Sequence, residues 1–169
     1  MYQKIILGTA QFGMNYGISN KTGKIKTKNI TKILDLLKKN KINLLDTANS
    51  YQKSEKEIGN YFRKKNIKFK VITKYSFAHN KNIKTQLEET YKNLGYYPDT
   101  IFAHNYKDYI SNVFQEEIKN IKKDYPIKNY GVSLYNPIEL KKIIEVKKPD
   151  IIQVPCNILD KRFLSSEIL

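Results

Sequence analysis

What the sequence lacks removes several classes of function. Cys156 is its only cysteine, so no disulfide forms within the chain, and the reading that follows is a protein of the reducing cytoplasm. No apolar run approaches the roughly twenty residues needed to cross a bilayer. Residues 1–4 lead straight into the short run Ile5-Ile6-Leu7 without a small-residue cleavage site, so neither membrane insertion nor export is expected. His79 and His104 are the only histidines, and no metal-ligand spacing can be built from them and one thiol, so no metal site is expected. Gly8, Gly13, Gly17 and Gly23 follow the first apolar run, but their spacing matches neither a phosphate-cradling loop nor a dinucleotide fingerprint. The stretch reads as a plain flexible loop.

Arginine is scarce as well. The net charge is +15, yet Arg63 and Arg162 are the only arginines, and arginine is the side chain that reads bases and grips phosphates bidentately. The lysine pairs at 38/39, 64/65, 122/123, 141/142 and 147/148 are dispersed and mostly fall late in predicted helices, where cations suit the helix dipole. Nucleic-acid binding is therefore not expected despite the charge, and the richness in Lys, Ile and Asn fits an AT-rich coding sequence.

What is present is a regular alternation over residues 1–169, read as one domain. Short apolar runs centred near residues 6, 44, 71, 101, 130 and 152 predict strands, and amphipathic stripes between them predict helices. The stripes are Ile30, Ile33, Leu34 and Leu37; Ile58, Tyr61 and Phe62, opened by a capping box of Ser54 and Glu57; Ile83, Leu87, Tyr91 and Leu94, closed by Gly95; Ile110 through Ile121; and Leu140, Ile143 and Ile144, opened by Asn136-Pro137 with Glu139. Pro98-Asp99 before the fourth strand is echoed by Pro149-Asp150 before the sixth. The rhythm is that of βα units on a parallel sheet. The tail from Asn157 holds a loop and one or two helical turns, not a further strand and helix.

In such a sheet the C-terminal ends of all strands open on one side, where ligands bind. The second strand ends at Asp46, the third at Lys74, the fourth at His104 and the fifth at Ser133, and Gln153 lies on the sixth. Alone, Asp46 reads as a turn cap, Lys74 as one more surface lysine and His104 as a satisfied core histidine. Together with Tyr51, five residues beyond Asp46, they form a chemical set: a tyrosine gives its proton to a carbonyl when a lysine ammonium, held charged by a carboxylate, stabilises the phenolate. His104 can hydrogen-bond the same carbonyl oxygen. None of these groups supplies hydride, so if the reaction is carbonyl reduction the reductant is a cofactor, read here as a nicotinamide nucleotide with its amide near Ser133 and Gln153.

The segments Leu7-Gly8-Thr9-Ala10, Leu45-Asp46-Thr47-Ala48-x-x-Tyr51-x-x-Ser54-Glu55-x-x-Ile58-Gly59, Ile72-Thr73-Lys74, Ala103-His104-Asn105, Tyr130-Gly131-Val132-Ser133 and Ile152-Gln153-Val154-Pro155-x-Asn157 resemble the aldo-keto reductase family. That resemblance implies a (β/α)8 TIM barrel, here incomplete with about six units, that reduces a small carbonyl substrate with NADPH, NADH being the alternative. It implies Asp46, Tyr51, Lys74 and His104 as the catalytic tetrad, with Tyr51 the general acid, and Gly8, Thr9, Asp46, Ser133 and Gln153 as cofactor contacts. Leu134 departs from the Asn that the family often places after the serine. The opening Gly-Thr-Ala-Gln-Phe-Gly-Met-Asn-Tyr-Gly more narrowly resembles bacterial members found with surface-sugar biosynthesis, which implies a sugar-like substrate. The family's last two strands, with the pyrophosphate loop and the cluster that selects the 2′-phosphate, have no counterpart here. Two alternatives stand beside this reading: a non-catalytic remnant or interaction module, and, for the fold, an open doubly wound sheet.

Overall fold

The computed structural model describes residues 5–77 and 82–164, so His79 and the last five residues lie outside the described part. Six strands, β1 (Leu7–Gly8), β2 (Leu44–Asp46), β3 (Lys70–Tyr75), β4 (Thr100–Ala103), β5 (Asn129–Ser133) and β6 (Ile151–Gln153), pair in parallel in that same order. Between them run α1 (Ala10–Gly13), α2 (Thr27–Lys39), α3 (Ser54–Lys65), α4 (Ile83–Leu94), α5 (Tyr106–Ile110), α6 (Asn112–Asp124) and α7 (Pro137–Val146). A doubly wound sheet reverses its strand order at a switch point, and this sheet does not, which excludes that alternative. The sheet curls instead. Gln153 of β6 donates to Asp46 Oδ2 of β2 at 3.3 Å although three strands lie between them. The architecture is six units of a (β/α)8 barrel, curled and open.

The helices form in the predicted places because their apolar stripes have a sheet to cover. Ile30, Leu34 and Leu37 of α2 and Ile58, Tyr61 and Phe62 of α3 close over Leu45 and Val71; Leu87 of α4, Phe114 and Ile118 of α6 and Ile143 of α7 close over Ile101 and Val132. Gly95 ends α4 in the left-handed conformation (φ 86°), and Asn136 with Glu139 opens α7 as a complete capping box. The two Pro-Asp pairs flank β5: the Asp99 carbonyl accepts from Lys128 and Asn129, and the Asp150 carboxylate accepts the Tyr130 amide at 2.9 Å.

Five expectations are corrected. Ile5 and Ile6 are not buried strand residues, being 57% and 44% exposed, because β1 is an edge strand that pairs only with β2 among the described residues. Ser54 does not cap α3 with Glu57, since its hydroxyl is engaged by Thr9 and Thr47 while Glu57 bonds Lys24 and Thr27. The stretch 110–121 is two helices, broken where the Ser111 hydroxyl accepts the Phe114 amide and starts α6, which leaves Val113 outside. Tyr91 and Ile144 face solvent. Thr90 takes the buried position in α4 because its hydroxyl is bonded there by Tyr75 and Glu55. Finally, the glycine-bearing stretch after β1 is pinned rather than flexible. Asn20 accepts from the Thr22 and Gly23 amides and donates to the Tyr16 and Gly23 carbonyls, each at 3.0 Å.

Helices α3 and α4 cross at Gly59, where a Cβ would collide with the Asn93 carbonyl oxygen. Gly59→Ala gains about 1 kcal/mol of helix propensity but forces backbone apart, and overpacking of this kind costs roughly 1–3 kcal/mol or more. A net loss of stability is expected, seen as a lower denaturant midpoint with unchanged slope; a midpoint at or above the parent's would show that the two helices separate freely.

Candidate active site

Strand alternation sorts the side chains of β3 onto two faces. Val71, Thr73 and Tyr75 point to the helices: Val71 into the core under α2 and α3, Thr73 to Glu55 of α3 at 2.7 Å, Tyr75 to Thr90 of α4 at 3.1 Å. Lys74 therefore falls on the opposite, concave face. There its Nζ lies 2.6 Å from Asp46 Oδ1 and donates to the Thr47 carbonyl at 2.9 Å. Lys74 is 2% and Asp46 14% exposed, so the pair is nearly shut off from water. Glu55, behind the same strands, accepts from Thr73, Thr90 and Asn93; burial pushes its carboxyl up while these donors pull it down.

Tyr51 is positioned by the turn that leaves β2. Thr47 N donates to Ile72 O and Asn49 N to Lys74 O, carrying the chain across the end of β3, and Ser54 N closes back onto the Tyr51 carbonyl at 3.0 Å. Three hydroxyls lock this turn to the first loop. Ser54 donates to the Thr9 carbonyl (2.9 Å) and receives Thr47 (3.1 Å), while Thr9 donates to the Asp46 carbonyl (2.9 Å). Gly13 of α1 sits so close that a Cβ there would meet the Tyr51 carbonyl oxygen, so only glycine lets the two loops touch.

The result is a pocket of about 480 Å³ lined by Gly8, Thr9, Tyr16, Asp46, Tyr51, Lys74, His104, Ser133, Tyr135 and Gln153, among others. All of the sequence-predicted site residues border it. The Tyr51 ring lies edge-on to His104 with centroids 6.0 Å apart, and Lys74 Nζ stands 5.4 Å from the Tyr51 centroid. Thr9 is fully buried with its hydroxyl and amide both donating to the Asp46 carbonyl, so its polar groups are engaged by β2. Gln153 Oε1 is buried and makes no hydrogen bond with the described residues.

Burial pushes the Tyr51 phenol well above its ordinary range, and Asp46, Tyr16 and Tyr135 push the same way. This differs from the expectation that Lys74 draws the phenol down: the ammonium is already compensated by Asp46. Burial pulls Lys74 below the usual lysine value, against Asp46, and pulls His104 down too, with Lys74 adding to the effect. The site as it stands holds a protonated phenol beside an imidazole that resists a charge.

The profile of the Aldo/keto reductase family matches residues 4–169. The chain belongs to the aldo/keto reductase family. Comparison with curated protein sequences gave no match. Among solved structures, the fold is similar to a putative aldo-keto reductase from Pseudomonas aeruginosa (TM-score 0.73, 22% identity, 93% of this chain and 64% of that one). It is also similar to the aldo-keto reductase AKR11C1 from Bacillus halodurans (0.72, 22%, 94% and 55%) and to a glycerol dehydrogenase from Gluconobacter oxydans (0.71, 24%, 92% and 52%). At these identities the likeness concerns the fold, and the chain spans between about half and just under two thirds of the length of these relatives.

Sequence reasoning missed three residues around Tyr51 and His104. Tyr16 packs against it at 6.2 Å between centroids, Tyr135 lines the same pocket, and Ser50 Oγ lies 3.3 Å from His104 Nδ1. Ser50 stands next to Tyr51 in the chain, a signal that was available. Tyr16 and Tyr135 reach the pocket only through loop paths that no periodicity encodes.

The His104 shift has a testable sign. An imidazole whose folded value lies below the ordinary 6.5 binds fewer protons than in the unfolded chain, so its contribution favours folding above 6.5 and is lost as pH falls through 6.5 toward the folded value. NMR titration, with His104→Gln used for assignment, is expected to give a midpoint below 6.5. A midpoint at or above it would refute the burial argument.

Proposed function

We propose that the protein reduces an aldehyde or ketone with NADPH, NADH being the alternative, and that Tyr51 is the general acid. The observation that carries this reading is the convergence of three strand ends on one pocket: the buried Asp46–Lys74 pair, the protonated Tyr51 beside it on the turn that leaves β2, and His104 at the ring edge. The substrate class proposed is a small carbonyl compound, sugar-like on the narrower resemblance of the opening segment.

The residues fit a nicotinamide. Its carboxamide has an NH2 to donate, Gln153 Oε1 is a buried acceptor without a partner, and the Ser133 hydroxyl borders the same pocket. Leu134 offers no second amide, being buried in the core with its backbone N–H given to the Gln153 carbonyl at 2.8 Å. When bound, a dihydronicotinamide supplies hydride to the carbonyl carbon. The chain's part is the proton. A carbonyl oxygen seated against Tyr51 Oη and His104 gains negative charge as the carbon is reduced, and the phenol proton transfers to it. The phenolate left behind is then the strongest nearby acceptor for Lys74, whose Nζ already faces that ring. Asp46 keeps the lysine charged so that it stabilises the phenolate, and a proton from solvent restores the Tyr51 phenol between turnovers.

We place the protein in the cytoplasm on its single, exposed free thiol; among the described residues no helix is long and apolar enough to cross a membrane.

Tyr51→Phe removes the proton donor while keeping the ring contacts, and general acid catalysis is worth about 10²–10⁴-fold in rate. That loss in kcat is expected for NADPH oxidation with an aldehyde panel that includes open-chain sugars, and an undiminished rate would remove Tyr51 from the mechanism. A folded chain that binds neither NADPH nor NADH in a calorimetric titration would favour the non-catalytic module instead.

A further inference from the structure

Beyond the four residues of the reductase reading, one polar contact on the solvent side of His104 is unexplained: the exposed Ser50 Oγ lies 3.3 Å from His104 Nδ1. A histidine used in catalysis is commonly oriented by a carboxylate at its second nitrogen, which also draws the ring toward the charged form. Neither carboxylate near His104 plays that part. Asp108 accepts from Asn105 Nδ2 at 2.8 Å, and Asp46 is occupied on one oxygen by Lys74 and on the other by Gln153. His104 Nε2 takes no hydrogen bond from the described residues. The backbone fixes where the residue starts, through His104 N to the Tyr75 carbonyl at 2.8 Å, but not which way the ring's proton faces.

We propose that Ser50 is a positioning residue for His104: its hydroxyl donates to Nδ1, holds the imidazole neutral with its proton on Nε2, and so makes the ring a hydrogen-bond donor to the substrate carbonyl. A neutral ring with Nδ1 occupied by a donor has only one place for its proton, and that nitrogen is the one left without a partner among the described residues. Lys74 nearby disfavours the imidazolium in any case. A hydroxyl partner is therefore consistent with the electrostatics, whereas a carboxylate would oppose them. The division of labour follows: Tyr51 delivers the proton, and His104 orients the carbonyl and withholds any proton of its own. This rests on the reductase reading for its purpose, though not for its geometry.

The test separates the two. Nitrogen-15 chemical shifts of His104 at neutral pH are expected to show Nδ1 as the unprotonated acceptor and Nε2 as protonated. Ser50→Ala is expected to give averaged shifts of a mixed tautomer population, and Ser50→Thr, which keeps the hydroxyl, to restore the parent pattern. In NADPH-dependent aldehyde reduction, Ser50→Ala should lower kcat/KM by about 10-fold, the scale of one net hydrogen bond, with Ser50→Thr recovering most of it. A proton on Nδ1 in the parent, or shifts unchanged in Ser50→Ala, would overturn the proposal whatever the activity. If the protein reduces no carbonyl but the tautomer responds to Ser50 as described, the positioning stands and the reductase reading falls.

Discussion

Lys74 carries a charge to a point that water scarcely reaches, and Asp46, 2.6 Å away on the neighbouring strand, makes that position tolerable together with the Thr47 carbonyl. An unpaired charge so placed costs roughly 3–5 kcal/mol, and even a well-made buried pair does little better than break even against apolar residues of similar size. The pair is therefore a poor way to stabilise a fold and a good way to hold a polar site in one geometry. It fixes more than itself. Through Asp46 it ties β2 to β3 and, by Gln153, to β6; through the Thr47 carbonyl it holds the turn that presents Tyr51.

Around that pair the protein commits its hydroxyls to loop geometry. Thr9, Thr47 and Ser54 form one buried cluster, and Gly13 lets α1 press against the Tyr51 turn. Glu55 does the equivalent work on the outer face, binding α3 to β3 and α4 through neutral donors. These contacts lie outside the reaction but set where the phenol stands, so a loss in any of them would be felt at Tyr51 before it was felt in the global fold.

The barrel rhythm and the strand ends were legible because both depend on local periodicity: alternating apolar runs and amphipathic stripes appear directly in the order of residues. Legibility ended where a side chain had two local uses. Ser54 with Glu57 has the pattern of a capping box, but the serine hydroxyl found better partners in Thr9 and Thr47, 45 residues away in the first case and 7 in the second. Ser111, inside the stretch read as one helix, caps the second of two. Burial of Ile5 and Ile6 failed for a different reason, since apolar composition says nothing about whether a second strand covers an edge.

What the sequence alone determined, then, is the parallel βα order, the six strand ends and the residue types carried to them, because each is written at separations of a few residues. Which atoms meet was decided by tertiary structure. The curl that brings Gln153 of β6 to Asp46 of β2, the approach of Tyr16 and Tyr135 to Tyr51, and the seating of Ser50 on His104 all join segments that only the curled, still open sheet brings together. Burial also reversed a chemical inference. A lysine near a tyrosine suggests a lowered phenol, yet burial in the pocket, with Asp46, Tyr16 and Tyr135 acting the same way, pushes the Tyr51 phenol up instead.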